Sequence, residues 1–292
     1  MSQVKSPAAA GLFVLGMLFC AAALAQGDVQ RGLYLSKAGG CVGCHTQQTK
    51  DPKDAVPYAG GRALKTPFGT FYGPNITPHP TAGIGSWTEA DFIRAMREGR
   101  RPDGAHLFPA FPYPSFTKIS DADLRDLWAY LRSLPPSGRA SQEHELGLLY
   151  RSRSLVGLWK WMFFTPGPMA PDSKRDPLLY RGDYLVNALG HCGECHTPRN
   201  FLGGPQRDRF LAGTAKGPEG KGVANITPTR LKKWSDAELR DFLQTGMTAD
   251  GDVTSETMGE VVTNTTSQLT PADLAAVIAY LRTVPAVESE KK

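Results

Sequence analysis

Cys41-Val42-Gly43-Cys44-His45 and Cys192-Gly193-Glu194-Cys195-His196 are two copies of one pentapeptide, and their reading decides the fold. Two thiols separated by two residues can each form a thioether to a porphyrin vinyl group. The histidine directly after the second thiol is then placed to bind the iron from one face, so the spacing reads as c-type haem attachment. A zinc ribbon needs its cysteine pairs close enough to share one metal, whereas these lie in separate halves of the chain and each carries its own histidine. A thioredoxin-like redox pair follows a strand of a βαβ unit, and no such alternation surrounds either copy. Two haems c are therefore expected, anchored covalently through Cys41, Cys44, Cys192 and Cys195, with His45 and His196 as proximal iron ligands.

Around the pentapeptides the chain repeats itself. Arg31-Gly32-Leu33-Tyr34-Leu35 recurs as Arg181-Gly182-Asp183-Tyr184-Leu185, Asn75-Ile76-Thr77-Pro78 as Asn225-Ile226-Thr227-Pro228, and Ala129-Tyr130-Leu131-Arg132 as Ala279-Tyr280-Leu281-Arg282, all at one offset. A fixed internal offset marks a duplicated unit, which places one domain over 27–137, a second over 176–285 and a connector over 138–175. Ser86-Trp87-Thr88-Glu89 and Ser235-Asp236-Ala237-Glu238 have the spacing of capping boxes that open a middle helix. Ser120 heads a helix over 121–133, and Thr270 with Pro271 heads another to Thr283; their apolar residues fall at helical spacing. Strand signals are poor throughout and loops rich in Pro and Gly fill the gaps. The fold class is all-α, each small domain folding around the apolar plate of its own haem.

Residues 1–25 combine Lys5, an apolar run from Gly11 to Leu24 and the ending Ala23-Leu24-Ala25. That pattern predicts a signal peptide cleaved near Ala25, hence export to the periplasm. Of five cysteines four belong to the pentapeptides and Cys20 lies inside this leader, so no structural disulfide is expected. The formal charge of +5 falls when Lys5 is removed and is offset by haem propionates. Lys and Arg form no dense stripe, so no nucleic acid is expected as a partner. No transmembrane anchor is expected after the leader. The connector stretch over 155–164 holds Trp159, Trp161, Phe163 and Phe164 but is interrupted by Lys160 and is too short to span a bilayer. It reads as a strap across the joint between the domains, with a docking surface as the alternative.

Four further motifs are Gly73-Pro74-Asn75-Ile76-Thr77-Pro78, Phe108-Pro109-Ala110-Phe111-Pro112-Tyr113, His191-Cys192-Gly193-Glu194-Cys195-His196-Thr197-Pro198-Arg199-Asn200 and Met258-Gly259-Glu260-Val261-Val262. With the repeat, they make the chain resemble the multihaem class I cytochrome c family, which includes the cytochrome subunits of bacterial alcohol, gluconate and aldehyde dehydrogenases. The resemblance implies two tandem class I cytochrome c domains that transfer single electrons from a dehydrogenase toward a cytochrome or oxidase. It also implies a methionine as sixth iron ligand, for which Met258, in the loop before the last helix, is the candidate; Met247 reads as core packing. Asn75, Asn225 and Arg199 are candidate propionate contacts, although plain turn chemistry accounts for the two asparagines equally well.

In the first domain the register set by Trp87 with Trp234, Gly99 with Gly246 and Asp103-Gly104 with Asp250-Gly251 puts Phe111 opposite Met258, and phenylalanine cannot ligate iron. His106, in the same loop, is the best substitute. If no side chain takes that place, the alternative is a dihaem oxidoreductase that binds a peroxide, thiosulfate or a nitrogen oxide at its first haem.

Overall fold

Helix α1 (Val29–Ala38) starts because the Asp28 carboxylate accepts from the Gln30 and Arg31 amides, filling donors that every helix start leaves orphaned and placing negative charge at the positive end of the helix dipole. The computed structural model describes residues 27–217, 220–254 and 256–289; the leader expected over 1–25 lies outside them. α1 turns into α2 (Cys41–His45) through Gly40, whose φ of 62° is left-handed, a corner that favours glycine. Then follow the hairpin β1 (Ala63–Thr66) and β2 (Gly69–Tyr72), α3 (Glu89–Glu98), the short α4 (Tyr113–Phe116) and α5 (Asp121–Ser133). α1 crosses α5 so closely that a Cβ on Gly32 would stand 2.0 Å from the Asp126 carbonyl oxygen.

After strand β3 (Glu145–Leu146) and the connector helix α6 (Arg153–Phe163), the second half repeats the plan. α7 (Pro177–Tyr184), capped by Asp176, continues through one π-helical turn over Leu185–Leu189 toward α8 (Gly193–His196). α9 (Pro228–Leu231), α10 (Asp236–Thr245), α11 (Glu256–Asn264) and α12 (Pro271–Thr283) complete it. α7 crosses α12 as α1 crosses α5, and a Cβ on Gly182 would lie 2.0 Å from the Ala276 carbonyl oxygen.

The last helices form as read: the Ser120 and Thr270 hydroxyls accept from the Asp123 and Asp273 amides. Ser235 and Glu238 make the expected capping box. In the first half the box is made by Thr88 and Asp91 rather than by Ser86 and Glu89; these are the residues that the Trp87–Trp234 register sets opposite Ser235 and Glu238. The all-α reading holds with one addition, a small antiparallel sheet in the order β1-β2-β3, with Ala63 opposite Tyr72 and Gly69 opposite Leu146. Its strands are too short to show a period of two, and β3 comes from the connector, so the pairing is set by tertiary contact.

The two halves share one apolar core running from Leu35, Leu124 and Leu127 to Leu189, Leu274 and Ile278. Polar pairs lace its boundary reciprocally. The Tyr184 hydroxyl donates to Asp123 at 2.5 Å, and the Tyr34 hydroxyl donates to Asp273. Arg31 pairs with Asp123 and Asp126, and Arg181 with Asp273 at 2.7 Å. Each tyrosine thus reaches the first turn of the other half's last helix, with the reciprocity of a local twofold axis.

The strap reading of the connector is what α6 shows on its inner side. Lys160 is buried, and its Nζ donates to the Glu98 and Gly99 carbonyls at 2.7 Å each. A cation there caps the carbonyls at the end of α3 and meets the negative end of its dipole. Trp159 Nε1 donates to the Leu202 carbonyl of the second half at 3.1 Å. Among the described residues no helix is long and apolar enough to cross a membrane.

Gly32→Ala and Gly182→Ala should each force a helix crossing apart and lower stability by roughly 1–3 kcal/mol, read as a fall in melting temperature. A second test uses Lys160, which burial, with a smaller contribution from Arg100, lowers from 10.5 to about 8. Between those two values the unfolded chain still holds a proton that the folded chain has released, so this residue's contribution to stability rises with pH there. The stability of the wild type relative to Lys160→Met should therefore climb across that window; a flat difference would contradict the burial of the cation.

Candidate functional site

The attachment motifs sit on α2 and α8, and each histidine is aimed by a backbone carbonyl. His45 Nδ1 donates to the Pro74 carbonyl at 2.8 Å, and His196 Nδ1 donates to the Ala224 carbonyl at 2.7 Å. A carbonyl only accepts, so Nδ1 carries the hydrogen and the Nε2 lone pair is left for a metal. Burial, partly opposed by that hydrogen bond, lowers the pKa of both rings and favours the neutral, ligating form. The carbonyls of the same histidines accept from Gly60 and Gly213, both at 2.7 Å.

What fixes the two aiming carbonyls is the asparagine that follows each. Asn75 Nδ2 donates to the Ser137 and Arg139 carbonyls at 2.8 Å, and its Oδ1 accepts from the Thr77 amide and hydroxyl. Asn225 Nδ2 donates to the Val287 carbonyl and Ser289 hydroxyl, and its Oδ1 accepts from the Thr227 amide and hydroxyl. Both donors and both acceptor sites of each amide are taken by the chain. Asn75 and Asn225 thus lock the turn that aims the proximal histidine, the turn chemistry that stood as the alternative to a propionate contact.

The thiols Cys41, Cys44, Cys192 and Cys195 are free. Burial raises Cys41 and Cys195 to about 11, Cys192 to about 12, and Cys44 in the same direction. Burial thus keeps all four as neutral thiols. Half-buried Val42, Ile76, Trp87 and Ile93 pack against the core in the first half, and Phe210, Ile226, Trp234 and Leu243 in the second. Among the described residues no group of three or more His, Cys, Asp or Glu is arranged to hold a bare metal ion. A thiol pair, one aimed imidazole and apolar walls fit a covalently bound iron porphyrin in each half.

The sixth positions differ. Met258 is half-buried in α11, a helix rather than the loop expected of it. Phe111 packs on Phe116 with ring centroids 5.5 Å apart and carries no donor. His106 is held under α6: its Nε2 lies 3.0 Å from where a Cβ on Gly157 would stand, and its carbonyl accepts from Arg153 at 2.6 Å. Its Nδ1 has no partner among the described residues, and it contacts α6 and, through an isolated antiparallel bridge, Arg100. Met96 is buried in α3, whereas Met247 lies just beyond the end of α10 and is 50% exposed, so the reading of Met247 as core packing is corrected.

Each half also grips the other's attachment motif through residues that sequence reasoning missed. The Ser115 hydroxyl of α4 donates to Glu194 at 3.0 Å, and Glu194 pairs with Arg199 of its own half. Glu260 of α11 pairs with Arg62 at 2.9 Å, and both charges act on the Cys44 thiol. No spacing rule connects residues so distant in the chain, so there was no local signal to read.

The cytochrome c family model matches residues 29–135 and 181–285. A protein described as "Diheme cytochrome c-type" from Cereibacter sphaeroides is 43% identical over 268 residues, covering 90% of this chain and 88% of its own length. The fructose dehydrogenase cytochrome subunit of Gluconobacter japonicus is 38% identical over 89% of this chain and 53% of its own. The cytochrome c subunit of a quinone alcohol dehydrogenase from Gluconacetobacter polyoxogenes is 39% identical over 89% of this chain and 56% of its own. The chain thus spans most of the first relative and little more than half of the other two.

Arg62→Gln leaves Glu260 uncompensated beside Cys44. It should lower the reduction potential of the haem on Cys41 and Cys44 by on the order of tens of millivolts while leaving the second haem unchanged, as read by spectroelectrochemical titration. Unchanged potentials would contradict the placement of this ion pair.

Proposed function

The chain belongs to the cytochrome c family, and from that premise we propose that it is an exported dihaem electron carrier that takes single electrons from a partner dehydrogenase and hands them toward a terminal cytochrome or oxidase. The observation that carries the proposal is the repeated geometry of the two motifs: a thiol pair followed by a histidine whose Nδ1 is tied to a backbone carbonyl, leaving Nε2 to bind. Haem c, when bound, supplies reversible one-electron chemistry. Cys41, Cys44, Cys192 and Cys195 anchor it, His45 and His196 ligate it, and Met258 completes the coordination in the second half. The flanking apolar side chains exclude water, and Arg199, exposed beside the second motif, is a candidate for a propionate alongside Asn75 and Asn225. The leader over 1–25 delivers the chain to the periplasm. Support comes from relatives named as a diheme cytochrome and as cytochrome subunits of fructose and alcohol dehydrogenases.

A second reading, a dihaem oxidoreductase acting on a peroxide, thiosulfate or a nitrogen oxide, is favoured by one set of observations: Phe111 carries no donor and His106, the proposed sixth ligand of the first half, is packed under α6.

The two readings part in a turnover assay with an artificial electron donor or acceptor. An electron carrier should turn over none of these substrates; turnover that is abolished by Phe111→Met would establish the oxidoreductase instead. In addition, the fully reduced Met258→Ala holoprotein should bind one more carbon monoxide per chain than the wild type, read by difference spectroscopy. Equal binding would remove Met258 from the iron.

A further inference from the structure

Helix α6 has two faces. The inner one packs on the first half through Val156, Gly157 and Lys160. The outer one is apolar and bare: Leu155 is 45% exposed, Leu158 54%, Trp161 82% and Met162 41%. The loop that follows α8 adds Phe201, 92% exposed, and Leu202, 44% exposed. That loop is fastened to α6 by the Trp159–Leu202 hydrogen bond and by the Phe163 ring, 2.5 Å from where a Cβ on Gly204 would stand. The two strips are therefore neighbours, separated by a groove lined by Trp161, Met162, Phe163, Asn200, Arg207 and Asp208.

Such a patch on a chain this size marks a contact site rather than ordinary surface, and a tryptophan rimmed by smaller apolar groups has the make-up of an interface anchor. Its charge says what kind of partner fits. From Leu146 to Ala170 the sequence carries Arg151, Arg153 and Lys160 and no carboxylate. Lys160 is turned inward, while Arg151 is exposed and donates to the Leu146 carbonyl at one end of the strip. At the other end Arg207 is exposed and donates to the Phe163 carbonyl at 3.1 Å; Asp208 is the one carboxylate lining the groove. Cationic ends disfavour a second copy of the same surface and favour an apolar patch edged with carboxylates. The position favours an electron donor, because Phe201 lies in the loop that leaves Cys195-His196 and is held to that motif by the Arg199–Glu194 pair.

We propose that the outer face of α6 together with Phe201 is the docking surface for the catalytic subunit of the donor dehydrogenase, which presents an acidic-edged apolar patch and delivers electrons to the second half; this rests on the function proposed above. The tagged full chain, carrying its haems, is isolated from its native host with the dehydrogenase that accompanies it, identified by mass spectrometry, and the affinity of the separated partners is measured. Trp161→Glu combined with Phe201→Ser should keep haem content and melting temperature, raise the dissociation constant about tenfold or more, and slow haem reduction by the dehydrogenase and its substrate at limiting concentrations. Arg207→Glu should weaken binding further and flatten its dependence on salt. Unchanged affinity in the double variant would overturn the docking site while leaving the proposed function standing. So would loss of a dimer of this chain with dehydrogenase binding intact. If no dehydrogenase reduces even the wild-type haems, the function and the docking site fall together.

Discussion

Two tyrosine hydroxyls, each bonded to an aspartate of the other half, hold the arrangement on which both attachment motifs depend. Asp123 and Asp273 are 6% and 8% exposed, and a carboxylate that deep is costly unless its charge is answered. Arg31 and Tyr184 answer the first, Arg181 and Tyr34 the second. Burial pushes Asp273 up, but the hydrogen bonds from Arg181 and Tyr34 outweigh it and hold its pKa below the usual value. Because these aspartates occupy the first turns of α5 and α12, the same groups that begin the last helices also bind the halves together. α1 thereby meets the π-helical turn that continues α7, with the Leu189 carbonyl oxygen 3.9 Å from where a Cβ on Gly39 would stand, and the motifs that follow are brought to the joint. There the Phe116 ring meets His191 edge-on at 5.4 Å, and Thr265 stands beside Gly40.

The consequence is a site built by both halves. The residues that aim each histidine are local, from Pro74 and Asn75 or Ala224 and Asn225, whereas the residues that grip each motif from outside come from the opposite half, Ser115 on Glu194 and Glu260 on Arg62. A change of charge or packing on α11, which carries Met258, is therefore felt at Cys44. Two attachment sites joined through one shared core suit a protein that moves electrons better than two independent beads on a linker would.

What could be read from the chain follows from how far each signal reaches. The caps at Ser120, Thr270 and Ser235 are rules over a few residues, and they hold; the repeat is legible because the chain can be compared with itself, and it returns as two matching segments. The capping box of Thr88 and Asp91 is legible too, because the Trp87–Trp234 register sets these residues opposite Ser235 and Glu238. The sheet was not, since it pairs a hairpin with two residues of the connector. The roles of Asn75 and Asn225 depended on chain segments about sixty residues downstream, at Ser137 and Val287. His106 neighbours Phe111 in the sequence, and its ring lies against Gly157 of α6, a helix whose packing no local pattern announces.

The most direct test of the account is the intact mass of the chain purified from its native host, under denaturing conditions that retain only covalent groups. The account predicts a polypeptide carrying two haems, one of which is lost in the Cys41→Ala/Cys44→Ala variant and the other in Cys192→Ala/Cys195→Ala. A wild-type mass without both additions, or haem that dissociates on denaturation, would contradict it.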